Sequence, residues 1–410
     1  MIDFKTIKKP YFLGIGGIGV SAIARMMLHE GKQVSGSDSS DSEIIKELQK
    51  VGADIFIGQD VSHIPNDTDL VIYSIALEKF VPDFMKDVRA KIKDVISYPE
   101  ALSIISKDKY TIAIAGTHGK TTTTAMLAKI MMDAGLDPTV IVGSLMSDSK
   151  SNFVAGKSKY LVVEACEYCR SFLEINPTVI GITTIDSDHL DYYKDLEDIV
   201  SAFNEFKAKI PVNGKVIETG DVFDPSLKLR IPGDHNRKNA SLALAIADHL
   251  GIDKEKAKRS LENFSGTWRR FEYKGKTENG AFVYDDYGHH PTEIAATILG
   301  AKELYPDKKI IVAFQPHLFS RTKELLSGFA QCFANSDEAI ILPIYPAREV
   351  FDPSISSEML VNNIKNTKAF FVPDFDAATD LLAKFGEDSV IILSGAGDID
   401  KLAPQIIHER

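Results

Sequence analysis

Only three of the 410 residues are cysteine, too few for a disulfide framework. Cys166 and Cys169 are spaced as CxxC, but no second pair completes a four-ligand zinc site, so metal or redox use of the two is not expected. Long apolar runs are missing as well. None approaches the ~18 residues of a membrane span. The opening MIDFKTIKKPYFLGIGG enters a strand without a signal-peptide core, so a cytoplasmic protein with no membrane partner is expected. A basic excess is also lacking: 47 Lys and Arg stand against 58 Asp and Glu, a net charge of −11. That balance argues against a general nucleic-acid binder, which needs cations for phosphates. Internal repeats and low-complexity segments are absent.

What is present is a globular composition, 44% hydrophobic and 26% charged, on a chain too long for one core; two to four domains follow. Short β-branched runs alternate with amphipathic stretches throughout, the pattern of α/β domains with mostly parallel sheets. Strands are expected at YFLGI (11–15), QVSGSD, LVIYS (70–74), YTIAIAG (110–116), KYLVVEA (159–165), TVIGITTI (178–185), AFVYDDY, KIIVAFQ, EAIILPIY and SVIILSGAGD. Helices are expected over Val20–Glu30, in EIIKELQKVG, from Lys120 to about Ala134, in NASLALAIADHLG and DKEKAKRSLENF, after Pro291, and through KELLSGFAQCF. The first unit ends near residue 106, and the pattern breaks again around Gly266. The expected division is 1–106, 107–266 and 267–410.

Two glycine-rich loops carry the chemistry. Gly14, Gly16 and Gly19 fit G-x-G-x-x-G between a strand and a helix, where free N–H groups at the helix start favour a diphosphate. Asp38 ends the next strand, placed to bond a ribose hydroxyl. This fingerprint alone fits NAD or any nucleotide diphosphate. GTHGKT (116–121) is the second loop. A strict lysine phosphate loop needs glycine at 114, where Ile114 stands, yet the shorter loop keeps the physics. The N–H groups of Thr117 to Lys120 can face phosphate oxygens, Lys120 can reach the terminal phosphates, and Thr121 can hold Mg²⁺. Acidic candidates for the same ion are Glu164, at the end of KYLVVEA, and the aspartates of DSDHLD (Asp186, Asp188, Asp191). Further on, DDYGHHPTEI (285–294) and FQPHLFSRTK (314–323) place histidines and Arg321 in strand-to-helix loops, where α/β sites form. A guanidinium there suits a carboxylate or phosphate.

GIGGIGVSA, GTHGKTTTT, DSDHLDYY, GDHNRKNASLA, RRFE, DDYGHHPTEI, FQPHLFSRT and the closing GAGDI, in order along nearly the whole chain, resemble the Mur ligase family. The resemblance implies three α/β domains: an N-terminal Rossmann-like domain for a UDP-sugar, a central P-loop ATPase, and a C-terminal Rossmann-like domain that brings an amino acid and closes over ATP. It implies an enzyme of peptidoglycan precursor synthesis, using ATP and Mg²⁺ to join L-alanine to the carboxylate of UDP-N-acetylmuramate through an acyl phosphate. By similarity, Gly14, Gly16, Gly17, Ile18, Gly19, Ser37, Asp38 and Ser74 hold the UDP-sugar. Gly116, Thr117, His118, Gly119, Lys120, Thr121, Thr122, His235, Asn236, Asn239 and Tyr287 bind ATP. Thr121, Glu164 and His189 are implied as metal ligands, with Lys120, Glu164 and His189 catalytic. His289, His317 and Arg321 would meet the amino acid. A monomer or weak homodimer is expected.

Three departures from the family's pattern stand out. EACEYC replaces the usual EADES-type run, so Cys166 and Cys169 take the place of two acids. Leu318 stands where many relatives have arginine. The stretch between NEFKAKIPVNGKV and LKLRIPGDHN is short, which implies a reduced central domain. Rival readings are a ligase that attaches a preformed peptide to the same sugar in wall recycling, a nicotinamide dehydrogenase, and a catalytically impaired UDP-sugar binder. The second glycine loop counts against the dehydrogenase, and the intact Lys120, Thr121, Glu164 and His189 against the last.

Overall fold

The computed structural model describes residues 2–146, 150–189, 192–347 and 349–409, which form three sheets. The first contains β1 (Pro10–Leu13), β2 (Ser35–Asp38), β3 (Asp54–Ile57), β4 (Leu70–Tyr73) and β5 (Val95–Ser97) in the order β3-β2-β1-β4-β5, all parallel. Its central strands are the unbroken apolar runs PYFL and LVIY, buried along their whole length. Strands covered by helices on both faces read that way. Order reverses across β1, so the loop after it opens at the sheet's switch point, where α/β folds bind ligands.

The second sheet holds β6 (Tyr110–Ala115), β7 (Thr139–Met146), β8 (Ser151–Val154), β9 (Tyr160–Glu164), β10 (Val179–Ile182) and β11 (Lys215–Glu218). They run in the order β11-β10-β6-β9-β7-β8, parallel except for the β7–β8 hairpin at one edge. The third holds β12 (Glu272–Thr277), β13 (Phe282–Asp286), β14 (Lys309–Phe314), β15 (Glu338–Ile341), β16 (Lys368–Phe371), β17 (Ser389–Ser394) and β18 (Ile407–Glu409), ordered β16-β15-β14-β17-β13-β12-β18. β12 runs antiparallel to both its neighbours, β13 and β18, and the other pairs are parallel.

Packing groups the chain into two compact units, Met1–Phe223 with Asn239–Leu261, and Asp224–Lys238 with Glu262–Arg410. The first unit carries the first two sheets, and one apolar cluster runs through both, from Phe12 and Ile23 to Ala165 and Phe172. Its most specific tie is polar. Fully buried Asn152 on β8 donates from Nδ2 to the carbonyl of Ile18 at 2.5 Å and to Ser21 Oγ at 2.8 Å, at the start of the helix Ile18–His29. No helix among the described residues is long and apolar enough to cross a membrane.

Every expected strand is present. The expected helix through KELLSGFAQCF is two, Phe319–Glu324 and Leu326–Cys332, because Leu325 leaves helical geometry (φ −101°, ψ 17°). The new segment lays Gly328 so close to Pro291 that a Cβ there would meet its ring at 3.0 Å. Strands such as β3, half exposed as DIFI, and β7, interrupted by Gly143 and Ser144, lack the apolar run that marks the central ones.

Candidate active site

In the first loop, Gly14 has φ +72° and Gly17 N–H returns to Gly14 O at 3.0 Å, a tight turn that delivers the chain into the helix Ile18–His29. The N–H of Gly16 donates to Asp38 Oδ2 at 2.9 Å. Gly14 and Ile15 donate to Ser37 O at 2.9 and 3.2 Å, and a Cβ on Gly14 would lie 3.1 Å from that of Ser74. Gly14, Gly16, Gly17, Ser37, Asp38 and Ser74, expected from separate strands, thus meet around one turn. The helix that follows has no side-chain cap and no acid in its first turn, which leaves its positive end for an anion.

The second loop links β6 to the helix Lys120–Asp133. Two of its positions admit only glycine. At Gly116 (φ +137°) a Cβ would sit 1.9 Å from Thr183 Oγ1, and at Gly119 (φ +85°) 2.3 Å from Asn239 Oδ1. Thr117 is pinned to the opposite loop: its N–H donates to Thr184 O at 2.6 Å, and its Oγ1 both donates to Asp186 O and accepts from Asp186 N–H. His118 Nε2 faces Asp186 Oδ2 at 3.4 Å.

The charged groups form two linked sets. Thr121 Oγ1 lies 2.9 and 3.0 Å from the two oxygens of Glu164, which also accepts from Gly143 N–H at 2.7 Å. Lys120 Nζ donates to Gly116 O at 2.6 Å and Thr117 O at 3.1 Å, and pairs with Glu167 at 2.8 Å. Burial alone would lower the lysine's pKa; Glu167, with Glu164, reverses that and holds it above its usual value. His189, at φ +55°, brings Nε2 to 3.6 Å from Glu167 and packs its ring against Tyr168 at 4.8 Å. Asp191 lies outside the described residues. Cys166 and Cys169 are exposed and form no disulfide. Cys169 and Arg170 are both left-handed (φ 52° and 55°), a bend that turns Arg170 toward Asp198 and Glu205 at 2.9 and 2.5 Å.

The second unit gathers the remaining candidates. His289 Nδ1 lies 3.0 Å from Tyr287 O, the His289 and His317 rings are 6.2 Å apart, and His317 stacks on Tyr345. Arg321 Nη1 reaches His317 Nδ1 at 3.2 Å. Both Arg269 and Arg270 lie over the Tyr287 ring at 5.3 Å. Leu318 takes φ +73°, costly for a branched side chain. His235 and Asn236 open the helix Asp234–His249, where Asn236 Nδ2 caps Pro232 O at 2.7 Å. Burial, with Arg237 adding to it, pushes His235 down to about 4.

Comparison with known proteins gives this geometry a family. Three family models match in chain order: "Mur ligase family, catalytic domain" over residues 9–110, "Mur ligase middle domain" over 114–225, and "Mur ligase, glutamate ligase domain" over 269–397. The chain belongs to the Mur ligase family. It has that family's three-domain α/β architecture. Curated relatives include UDP-N-acetylmuramate–L-alanine ligases of Clostridium tetani and Clostridium kluyveri. Each is 40% identical to this chain, over 97% of it and 98% of the former relative, and over 99% of both this chain and the latter. Among solved structures, the UDP-N-acetylmuramate–alanine ligase of Thermotoga maritima matches with a TM-score of 0.82 at 29% identity, covering 97% of each chain. A murein peptide ligase from Psychrobacter arcticus shares the fold, with a TM-score of 0.71 at 22% identity over 96% of this chain and 97% of that one.

Around the candidate site of this Mur ligase, Glu167 and Gly143 escaped a reading by motif, and Asn239 was read without its structural reason. Glu167 is 2% exposed and holds Lys120, yet sequence marks it only as an acid near Glu164. Gly143 supports the Glu164 carboxylate from a strand without a motif. Asn239 was expected by resemblance, but its reason, the contact with Gly119, needs the fold.

Proposed function

We propose that the chain catalyses ATP-dependent joining of L-alanine to the carboxylate of UDP-N-acetylmuramate, a step of peptidoglycan precursor synthesis. The observation that carries this reading is the full-length match at 40% identity to ligases of that name, together with a phosphate loop whose Lys120 and Thr121 meet buried or half-buried acids. In this reading the first loop binds the UDP diphosphate and does no chemistry, while the second binds ATP.

A carboxylate is a poor electrophile with a poor leaving group, so its oxygen must first take the terminal phosphoryl group of ATP. Lys120 is charged and already inside the loop, where it can stabilise the transferring phosphoryl group. Thr121 Oγ1 and the Glu164 carboxylate are hard oxygen donors in contact, a set that fits Mg²⁺ with waters and phosphate oxygens completing its shell. Mg²⁺ bound there would spread negative charge during transfer; His189 completes the proposed ligand set. In the second unit, Arg321 clamps the carboxylate of the amino acid, with His289 and His317 beside its amine. The amine attacks the acyl phosphate, the tetrahedral intermediate expels phosphate, and an amide remains. Domain boundaries near 106 and 266, a reduced central domain, a cytoplasmic location, and a monomer or weak dimer complete the proposal.

The test is phosphate release from ATP and Mg²⁺ with UDP-N-acetylmuramate, comparing L-alanine, other amino acids and a tripeptide as acceptors. Release that requires both sugar and L-alanine, with a product heavier by one alanyl residue, supports the reading. Turnover with the tripeptide alone would assign the chain to wall recycling instead.

A further inference from the structure

Tyr98 lies between the two loops and belongs to neither motif. It opens the helix Tyr98–Lys107, fixed by Pro99 and by the Ser97–Glu100 capping box. The ring packs on the first loop so closely that a Cβ on Gly19 would lie 2.7 Å from Cζ, the carbon bearing the hydroxyl. The ring also packs against the apolar cluster that runs through both sheets of the first unit, which includes Ala165 and Phe172. The same helix is tied to Asn176, which bonds Ser103 and Ser106. The hydroxyl therefore stands beside the helix start of the sugar loop and in the field of the ATP loop's acids. Burial, then the charges of Glu164 and Cys166, raise its pKa, so it stays a neutral O–H donor.

We propose that the Tyr98 hydroxyl is a substrate-contacting donor that holds the acyl end of the sugar nucleotide as it crosses from the first glycine loop to the phosphoryl-transfer site. The inference rests on the functional reading above. In that reading the substrate has its diphosphate at Gly14–Gly19 and its carboxylate near Thr121 and Glu164, and Tyr98 both packs on Gly19 and feels the charge of Glu164. A neutral phenol is suited to that place, since it donates to an anion without adding a charge between two phosphate sites.

Tyr98→Phe keeps the ring on Gly19 and removes only the donor. The experiment measures UDP-N-acetylmuramate affinity by calorimetry, the melting temperature, and single-turnover ADP formation from ATP and Mg²⁺ with the sugar but no L-alanine. Affinity within about 2-fold of wild type, an unchanged melting temperature and ADP formation slowed about 10- to 100-fold are expected for loss of one hydrogen bond to a charged group. An unchanged rate, or a loss confined to the KM for the sugar, overturns the inference. Wild-type enzyme that turns over no ATP with this sugar even when L-alanine is present overturns the functional reading beneath it, a distinct result.

Discussion

The backbone N–H of Gly143 donates to Glu164 Oε2 at 2.7 Å, and a methyl group at Gly143 would sit 2.5 Å from that same oxygen. The strand β7 thus both holds and confines the carboxylate proposed for Mg²⁺. Gly143→Ala must push Glu164 off Thr121. A fall in kcat of about 100-fold or more is expected, with UDP-sugar affinity retained, because misplacing a positioned group costs on that order. Steady-state kinetics with varied Mg²⁺ check this, since a displaced carboxylate also raises the Mg²⁺ needed for half-maximal rate.

Lys120→Ala tests the division of labour between the loops. ATP turnover is expected to vanish while calorimetry still detects the sugar nucleotide at near wild-type affinity. A folded variant that no longer binds the sugar would place both ligands on one loop.

Arg321→Ala should raise the KM for L-alanine, leaving ATP and sugar constants nearly alone, as removal of one charge-assisted clamp costs about 1.5–3 kcal/mol. Kinetics with L-alanine varied at saturating ATP and sugar decide it, and unchanged constants remove Arg321 from the site.

Asn152→Ala removes two donors from a fully buried position and leaves Ile18 O and Ser21 Oγ short of a partner. A loss of about 1–3 kcal/mol of stability is expected in urea unfolding. Asn152→Asp, which puts an acceptor opposite a carbonyl, should cost at least as much.

His235 sets a pH dependence. Its pKa is about 4 in the folded chain against an ordinary 6.5. Between these values the unfolded chain binds more protons, so stability is present above about 6.5 and is lost as pH falls toward 4. Melting temperatures from pH 7.5 to 4.5 should fall more steeply for wild type than for His235→Gln, and parallel curves would contradict the assignment.

Much of the candidate site's geometry was legible in sequence because its physics is local. Gly116 and Gly119 are glycine because any Cβ would strike Thr183 or Asn239, and such positions write themselves as a motif between a strand and a helix. Glu164 and Asp38 end strands, and a strand end in a parallel sheet points to the ligand edge. Glu167, Gly143, Asn152 and Tyr98 were not legible, since each acts through a partner 21 to 134 residues away or through a ring lying on a distant glycine. The weak strands followed the same rule. β7 and β8 carry no clean alternation, and their pairing depends on the sheet they complete.

The most direct test of the account follows an oxygen atom. UDP-N-acetylmuramate labelled with ¹⁸O in its carboxylate is turned over with ATP, Mg²⁺ and L-alanine, and the released phosphate is analysed by mass. Transfer of one labelled oxygen to phosphate for each amide formed is the predicted result, because the acyl phosphate breaks at its carbonyl carbon. Phosphate without label, beside an amide product, would contradict carboxylate phosphorylation and with it the role given to Lys120.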